Sequence, residues 1–119
     1  MKKSITILED DRDIREICTL IFHEEGYAVN SFENITALTK RNPEASTDLF
    51  LLDIQLPDGN GLELCQKLKA NADYGKVPII MMSAQIGKAR MMDSCKADGF
   101  IEKPFDINKL INMVALLLH

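Results

Sequence analysis

The stretch Asp48-Leu49-Phe50-Leu51-Leu52-Asp53, DLFLLD, decides the fold. Its four apolar residues do not alternate with polar ones, the mark of a β-strand covered on both faces. A carboxylate ends the run, and Pro57-Asp58-Gly59-Asn60-Gly61 follows as a turn signal. Working outward, Ile5-Thr6-Ile7-Leu8, Val77 to Met82 and Phe100-Ile101 are further short apolar runs. Pro78 is tolerable near the start of its run. Tyr27 to Phe32 alternates only in part and reads as an edge strand. Helix-like segments separate these runs. From Asp11, residues Ile14, Ile17, Cys18 and Ile21 recur on one helical face, and Gly26 stops the pattern. Asn34 to Arg41 is a weak helix ended before Pro43, and Leu62, Cys65 and Leu68 mark the next. Lys88 to Lys96 is a poorer one with Met92 and Cys95 inward, and Ile107, Leu110, Ile111 and Val114 mark the last. Five β-α units in a row imply an α/β, doubly wound parallel sheet between two helix layers.

Composition sets the outer bounds. The chain has 119 residues, a length for one domain with a single core. A formal net charge of −4 argues against this domain gripping nucleic acid, which needs a basic face. There is no apolar run long enough to span a membrane, and acids follow too soon after Lys2 and Lys3 for a signal peptide. Cys18, Cys65 and Cys95 are far apart and form no CxxC pair, so three buried free thiols and a reducing, cytoplasmic compartment are expected.

In parallel sheets of this kind, ligands bind at the carboxyl ends of strands. The first run ends in Glu9-Asp10-Asp11, the third in Asp53, the fourth in Ser83-Ala84 and the fifth in Lys103-Pro104-Phe105. The second, ending in Ser31-Phe32-Glu33, carries no comparable cluster. Two like charges 4 Å apart repel by roughly 4 kcal/mol at an effective dielectric near 20. Glu9, Asp10 and Asp53 therefore need a cation. Hard carboxylate oxygens without nearby His or Cys suit Mg²⁺, with Lys103 assisting. A carboxylate beside Mg²⁺ and a lysine can act as nucleophile toward a phosphoryl group, and a neighbouring hydroxyl can bond a phosphoryl oxygen.

Four stretches, "ITILEDDRDIREI", "DLFLLDIQLPDGNGLEL", "VPIIMMSA" and "GFIEKPF", resemble the receiver domain of two-component response regulators, the family of the chemotaxis response regulator. The likeness covers essentially the whole chain, residues 1–119, as one receiver domain. It implies a flavodoxin-like (βα)5 fold with strand order 2-1-3-4-5. It implies Asp53 as phosphoacceptor, with Glu9, Asp10, Asp53 and the Gln55 backbone carbonyl as Mg²⁺ ligands. Ser83 and Lys103 would contact the phosphoryl group, and Ser83 and Phe100 would form the switch. Gln55 and Gln85 would tune the lifetime of the phosphate. The Lys103-Pro104 bond is cis in the family. The implied activity is phosphoryl transfer from a sensor histidine kinase or phosphotransfer protein to Asp53, then slow hydrolysis: a signalling phosphoacceptor, not an enzyme acting on other substrates. Three positions depart from the common pattern. Phe100 stands where many relatives have Tyr, Lys96 where Gly often follows the fourth helix, and Glu9 where an Asp is usual.

Plainer roles compete at single positions. Asp11 is expected to cap its helix, with Asp13 in the first turn. Ser83 alone would cap the following loop, and Lys103 alone would be a solvated charge. Met81, Met82, Met91, Met92 and Met113 read as core or partner-surface filler, and His23 and His119 as exposed. An aspartate-nucleophile phosphatase would want Asp at position 55, which is Gln, and the chain lacks a P-loop or dinucleotide glycine fingerprint. The alternative of the same fold is a pseudo-receiver, an interaction module working without phosphorylation. For output, the resemblance points to the face of the fourth helix, fifth strand and fifth helix, including Met91, Phe100 and Lys109. A homodimer mate or an effector domain absent from the chain would dock there. The apolar Val114-Ala115-Leu116-Leu117-Leu118 agrees with such burial. From Met1, excision from the tail of a hybrid kinase is not expected.

Overall fold

The computed structural model of the chain describes residues 2–41, 46–85, 87 and 96–118. The elements are β1 (Ser4–Leu8), α1 (Arg12–Glu24), β2 (Ala28–Phe32), α2 (Ile35–Thr39), β3 (Leu49–Asp53), β4 (Gln55–Leu56), β5 (Gly59–Asn60), α3 (Gly61–Ala70), β6 (Ile79–Ser83), β7 (Gly99–Glu102) and α4 (Ile107–Leu118). Five strands form one parallel sheet in the order β2-β1-β3-β6-β7. With the small β4–β5 hairpin set aside, this is the expected 2-1-3-4-5 order. The helix expected over Lys88–Lys96, with Met91, Met92 and Cys95, lies outside the described residues except for Lys96.

β3 is buried along its whole length at the centre of the sheet. Successive side chains point to opposite faces of a strand. Leu49 and Leu51 accordingly join Ile5, Ile7, Cys18, Phe22, Leu110 and Val114 beneath α1 and α4. Phe50 and Leu52 join Leu8, Leu38, Leu62, Leu64, Ile79 and Met81 beneath α2 and α3. Met81 and Met82 thus fill opposite cores. A continuous apolar run is what a strand needs when both faces meet helices.

Local signals account for the helix ends. Asp11 Oδ1 caps α1 by accepting from the Asp13 and Ile14 amides at 2.9 and 3.1 Å. Gly26, at φ +91°, turns the chain into β2. Lys96 takes φ 58°, the left-handed conformation glycine adopts without steric cost. For a residue with a Cβ that conformation costs about 1–2 kcal/mol. The Lys103–Pro104 peptide is cis.

Two expectations need correction. α1 does not turn Ile17 inward: Ile17 is 48% exposed, whereas Cys18 and Phe22 are fully buried. The inward line runs 14, 18, 22, with Phe22 packed edge-on against Tyr27 where the chain leaves the helix. Nor are the thiols all free. Cys18 is free, and burial pushes its thiol up to about 12. Cys65 is equally buried but disulfide-bonded.

Phe22→Ala is expected to cost about 3–5 kcal/mol in urea unfolding, as loss of a fully buried ring does. Ile17→Ala is expected to change stability by about 0.5 kcal/mol or less. The reverse ranking would return the helix face to the one read from spacing.

Candidate functional site

Strand register gathers the site. Leu8 pairs with Leu52, so Glu9, one step past β1, arrives beside Asp53. Asp53 pairs with Met82, one residue before Ser83. Ser83 pairs with Glu102, and the Ser83 carbonyl accepts from the Lys103 amide at 2.9 Å. Four strand ends therefore meet at one rim without any long side chain having to search for its partner.

Glu9 is fully buried and Asp53 nearly so, whereas Asp10 is exposed. Carboxylate oxygens of Glu9, Asp10 and Asp53 lie within 4.8 Å of one another. The Lys103 ammonium donates to Glu9 Oε1 and, at 2.9 Å, to Asp53 Oδ2. Asp10, Asp53, Gln55, Ser83, Gln85 and Lys103 line one open cleft. Ser83 Oγ accepts from the Gln85 amide at 2.9 Å, so the hydroxyl does cap its loop. An accepting hydroxyl keeps its own hydrogen for another acceptor. Phe100 is half-buried, packed with the α2–α3 core. Glu33, at the end of β2, is exposed and not among the cleft residues.

Burial pushes the Glu9 carboxyl up to about 8, with the Asp53 carboxylate adding to the shift and Lys103 opposing it. Lys103 is shifted upward despite its burial, because Glu9 and Asp53 both accept its protons. Glu9, Asp10 and Asp53 offer clustered, hard oxygen donors, the donor chemistry of Mg²⁺.

Three supporting residues escaped the sequence reading. Arg15 Nη1 donates to the Glu9 and Asp10 carbonyls at 2.8 and 3.4 Å, holding the acidic pair's backbone from α1. Asp58 reads as a turn residue, yet its carboxylate bonds across to α2. Gly61 belongs to the same turn signal. Its amide donates to the Ile54 carbonyl at 2.7 Å, and a Cβ there would sit 2.0 Å from the Asp53 carbonyl oxygen. Only a glycine permits α3 to start this close to β3. Each contact runs to a backbone group, and that of Asp58 crosses 22 residues, so no side-chain spacing announces them.

The chain belongs to the response regulator receiver domain family, whose model matches residues 5–115. Among solved structures, the chemotaxis response regulator CheY4 of Vibrio cholerae shares the fold at TM-score 0.90 and 20% identity, over 99% of this chain and 100% of that one. The response regulator TrrA of Thermotoga maritima, solved in complex with Mg(2+)-BeF, superposes at TM-score 0.86 with 29% identity, covering 98% and 99% of the two chains. In sequence, the chain is 30% identical to the transcriptional regulatory protein ResD of Bacillus subtilis, over 97% of this chain and 48% of that protein. It is also 30% identical to the DNA-binding response regulator MtrA of Mycobacterium tuberculosis, over 100% of this chain and 52% of that one. The chain thus spans about half the length of the curated relatives it matches. No helix among the described residues is long and apolar enough to cross a membrane.

Gly61→Ala is expected to destabilise the protein by about 3 kcal/mol, the upper range for overpacking, because backbone and not a flexible side chain is in the way. Unchanged thermal stability would mean the β3–α3 junction has slack. A second expectation concerns pH. Folded Glu9 keeps its proton up to about pH 8, whereas its ordinary value is 4.5. The native state then binds the extra proton, so metal-free stability falls as pH rises through that interval. Urea midpoints taken in chelator from pH 5 to 8 check this, and Glu9→Gln removes the decline. A rise with pH that Glu9→Gln abolishes would reverse the assignment.

Proposed function

We propose that this chain is a phosphoacceptor receiver that takes a phosphoryl group on Asp53 from the phosphohistidine of a sensor kinase or phosphotransfer protein. One observation carries the reading: three carboxylates from β1 and β3 and the lysine after β7 converge on one cleft edge, with Lys103 2.9 Å from Asp53. A pseudo-receiver would have no need of that charge arrangement.

The proposed reaction is a displacement at phosphorus. An Asp53 carboxylate oxygen attacks, the P–O bond forms as the P–N bond breaks, and the electron pair leaves on the imidazole nitrogen. Lys103 holds Asp53 and neutralises charge on the transferring oxygens. Positioning and charge, not covalent rearrangement of the protein, do most of the work in such transfers. Glu9, Asp10, Asp53 and the Gln55 carbonyl would hold Mg²⁺, which supplies further charge neutralisation on the phosphoryl oxygens. Phosphorylation makes the group a stronger acceptor. The Ser83 hydroxyl then turns its hydrogen toward a phosphoryl oxygen, and the loop after β6 follows. Phe100, lacking a hydroxyl, reports that movement through packing alone. Gln55 and Gln85, at the cleft, control water's approach to the acyl phosphate and so its lifetime. On this reading the domain catalyses only its own phosphorylation and dephosphorylation.

The same proposal covers the setting. The chain works in the cytoplasm with a histidine kinase. Its output passes through the face holding Phe100, Lys109 and α4, either to a second copy or to an effector domain. The greater length of relatives named as a transcriptional regulatory protein and a DNA-binding response regulator supports the latter.

Incubation with acetyl phosphate and Mg²⁺, followed by intact mass, is expected to add one phosphoryl group. Asp53→Ala is expected to abolish the addition, and Lys103→Ala to slow it by roughly a hundredfold or more, as loss of a transition-state charge partner does. Well-folded wild-type protein that takes up no phosphate would favour the pseudo-receiver, and unchanged uptake in Asp53→Ala would move the acceptor elsewhere.

A further inference from the structure

We propose that Asp58 is a positioning residue for the phosphoacceptor site: by bonding to the start of α2, it holds the hairpin that presents Gln55 to the cleft. This rests on the proposed role of the Gln55 carbonyl as a metal ligand and adds a residue that acts on it from outside.

The segment after Asp53 is bonded at every exit. The Ile54 amide donates to the Met82 carbonyl at 3.1 Å, tying the segment's start to β6. Gln55 pairs with Asn60 and Leu56 with Gly59 in a tight antiparallel hairpin. Asn60 Oδ1 accepts from the Leu62 amide at 2.7 Å and caps α3. Those bonds secure the base of the hairpin but not its tip, Pro57-Asp58.

Asp58 secures the tip. Its Oδ1 accepts from the Ile35 amide at 2.9 Å. Its Oδ2 accepts from the Thr36 amide at 2.9 Å and from the Thr36 hydroxyl at 2.7 Å. The carboxyl is held below its usual range by the Thr36 hydroxyl and the Ile35 and Thr36 amides, so all three bonds go to the charged form. These bonds are charge-assisted, at an exposed carboxylate. The packing is close as well: a Cβ on Gly59 would lie 2.7 Å from Ile35 Cδ1. Asn34 already caps α2 by accepting from the Ala37 amide at 2.7 Å. Asp58 takes the two amides that Asn34 leaves, so one helix end anchors a loop 22 residues away in sequence. Oxygen donors on a loop bind a small, geometry-demanding cation only as well as the loop holds them still.

The test uses the intact chain and magnesium chloride, read by calorimetry, together with amide hydrogen exchange on the metal-free protein. Asp58→Ala is expected to raise the Mg²⁺ Kd on the order of tenfold, the lower range for loss of an outer-shell partner. It is also expected to speed exchange at residues 54–61. Thr36→Val, which removes one of the three bonds, is expected to give a smaller change of the same sign, and Asp58→Asn, which keeps one acceptor, an intermediate one. A merely structural role would lower thermal stability and leave the Kd of the folded protein alone, and that result overturns the proposal. Wild-type protein that takes up no Mg²⁺ overturns the metal-site reading, while exchange at 54–61 still decides whether Asp58 holds the hairpin. Should Asp58→Ala fail to fold, Thr36→Val carries both measurements.

Discussion

The Lys103 ammonium between Glu9 and Asp53 is the contact on which the rest of the site depends. Glu9 is fully buried at the carboxyl edge of a parallel sheet, where an unpaired charge would cost several kcal/mol. Two responses are available to the chain without any bound ion. It can supply a permanent cation or leave a proton on the acid, and here it does both. Lys103 reaches both carboxylates, and burial still drives Glu9 toward its neutral form. The fold tolerates this cost because the strands on either side are secured elsewhere, by two continuous apolar layers on the faces of β3.

That contact in turn constrains the backbone. Lys103 meets Glu9 only because β7 lies beside β6, β6 beside β3 and β3 beside β1, all in parallel register. A one-residue slip would turn the buried faces of a strand over. It would also carry Asp53 away from the rim. The division of side chains between the two cores and the convergence of charges are therefore set by the same register. Stability of the sheet and competence of the site cannot be varied independently along β3.

The fold and the four strand-end groups were legible because each depends on a local pattern. An unalternating apolar run marks a doubly covered strand, and the residue ending it lands at the rim whatever else the chain does. The elements lost to spacing failed for physical reasons. Ile17 matched a helical face as well as Phe22, and only the turn at Gly26, which brings Tyr27 back onto the helix, decides between them. Gly61 was visible as a turn glycine, but its true constraint is a carbonyl eight residues earlier. Arg15 acts on backbone carbonyls and Asp58 mostly on backbone amides, which carry no side-chain signature in any sequence. The disulfide at Cys65 was hidden for a related reason: helical spacing says that a thiol is inward, not what it meets.

These backbone contacts divide the labour around the cleft. The groups proposed to do chemistry sit on strand ends, where the sheet fixes them. The groups that hold those ends, Arg15 on α1 and Asp58 against α2, come from elements on opposite faces of the sheet. One grips the carbonyls of the acidic pair and the other the tip of the loop after the acceptor. On the proposed reading, a proton on Glu9, the Lys103 ammonium and a divalent ion are three answers to one excess of negative charge. Their exchange needs no large motion if the carboxylates stay put, since only the cation changes. A cage held from both helix layers is built for that exchange. On the proposed reading, the loop after β6, which brings Ser83 and Gln85 to the same cleft, answers the negative charge that a phosphoryl group adds at Asp53.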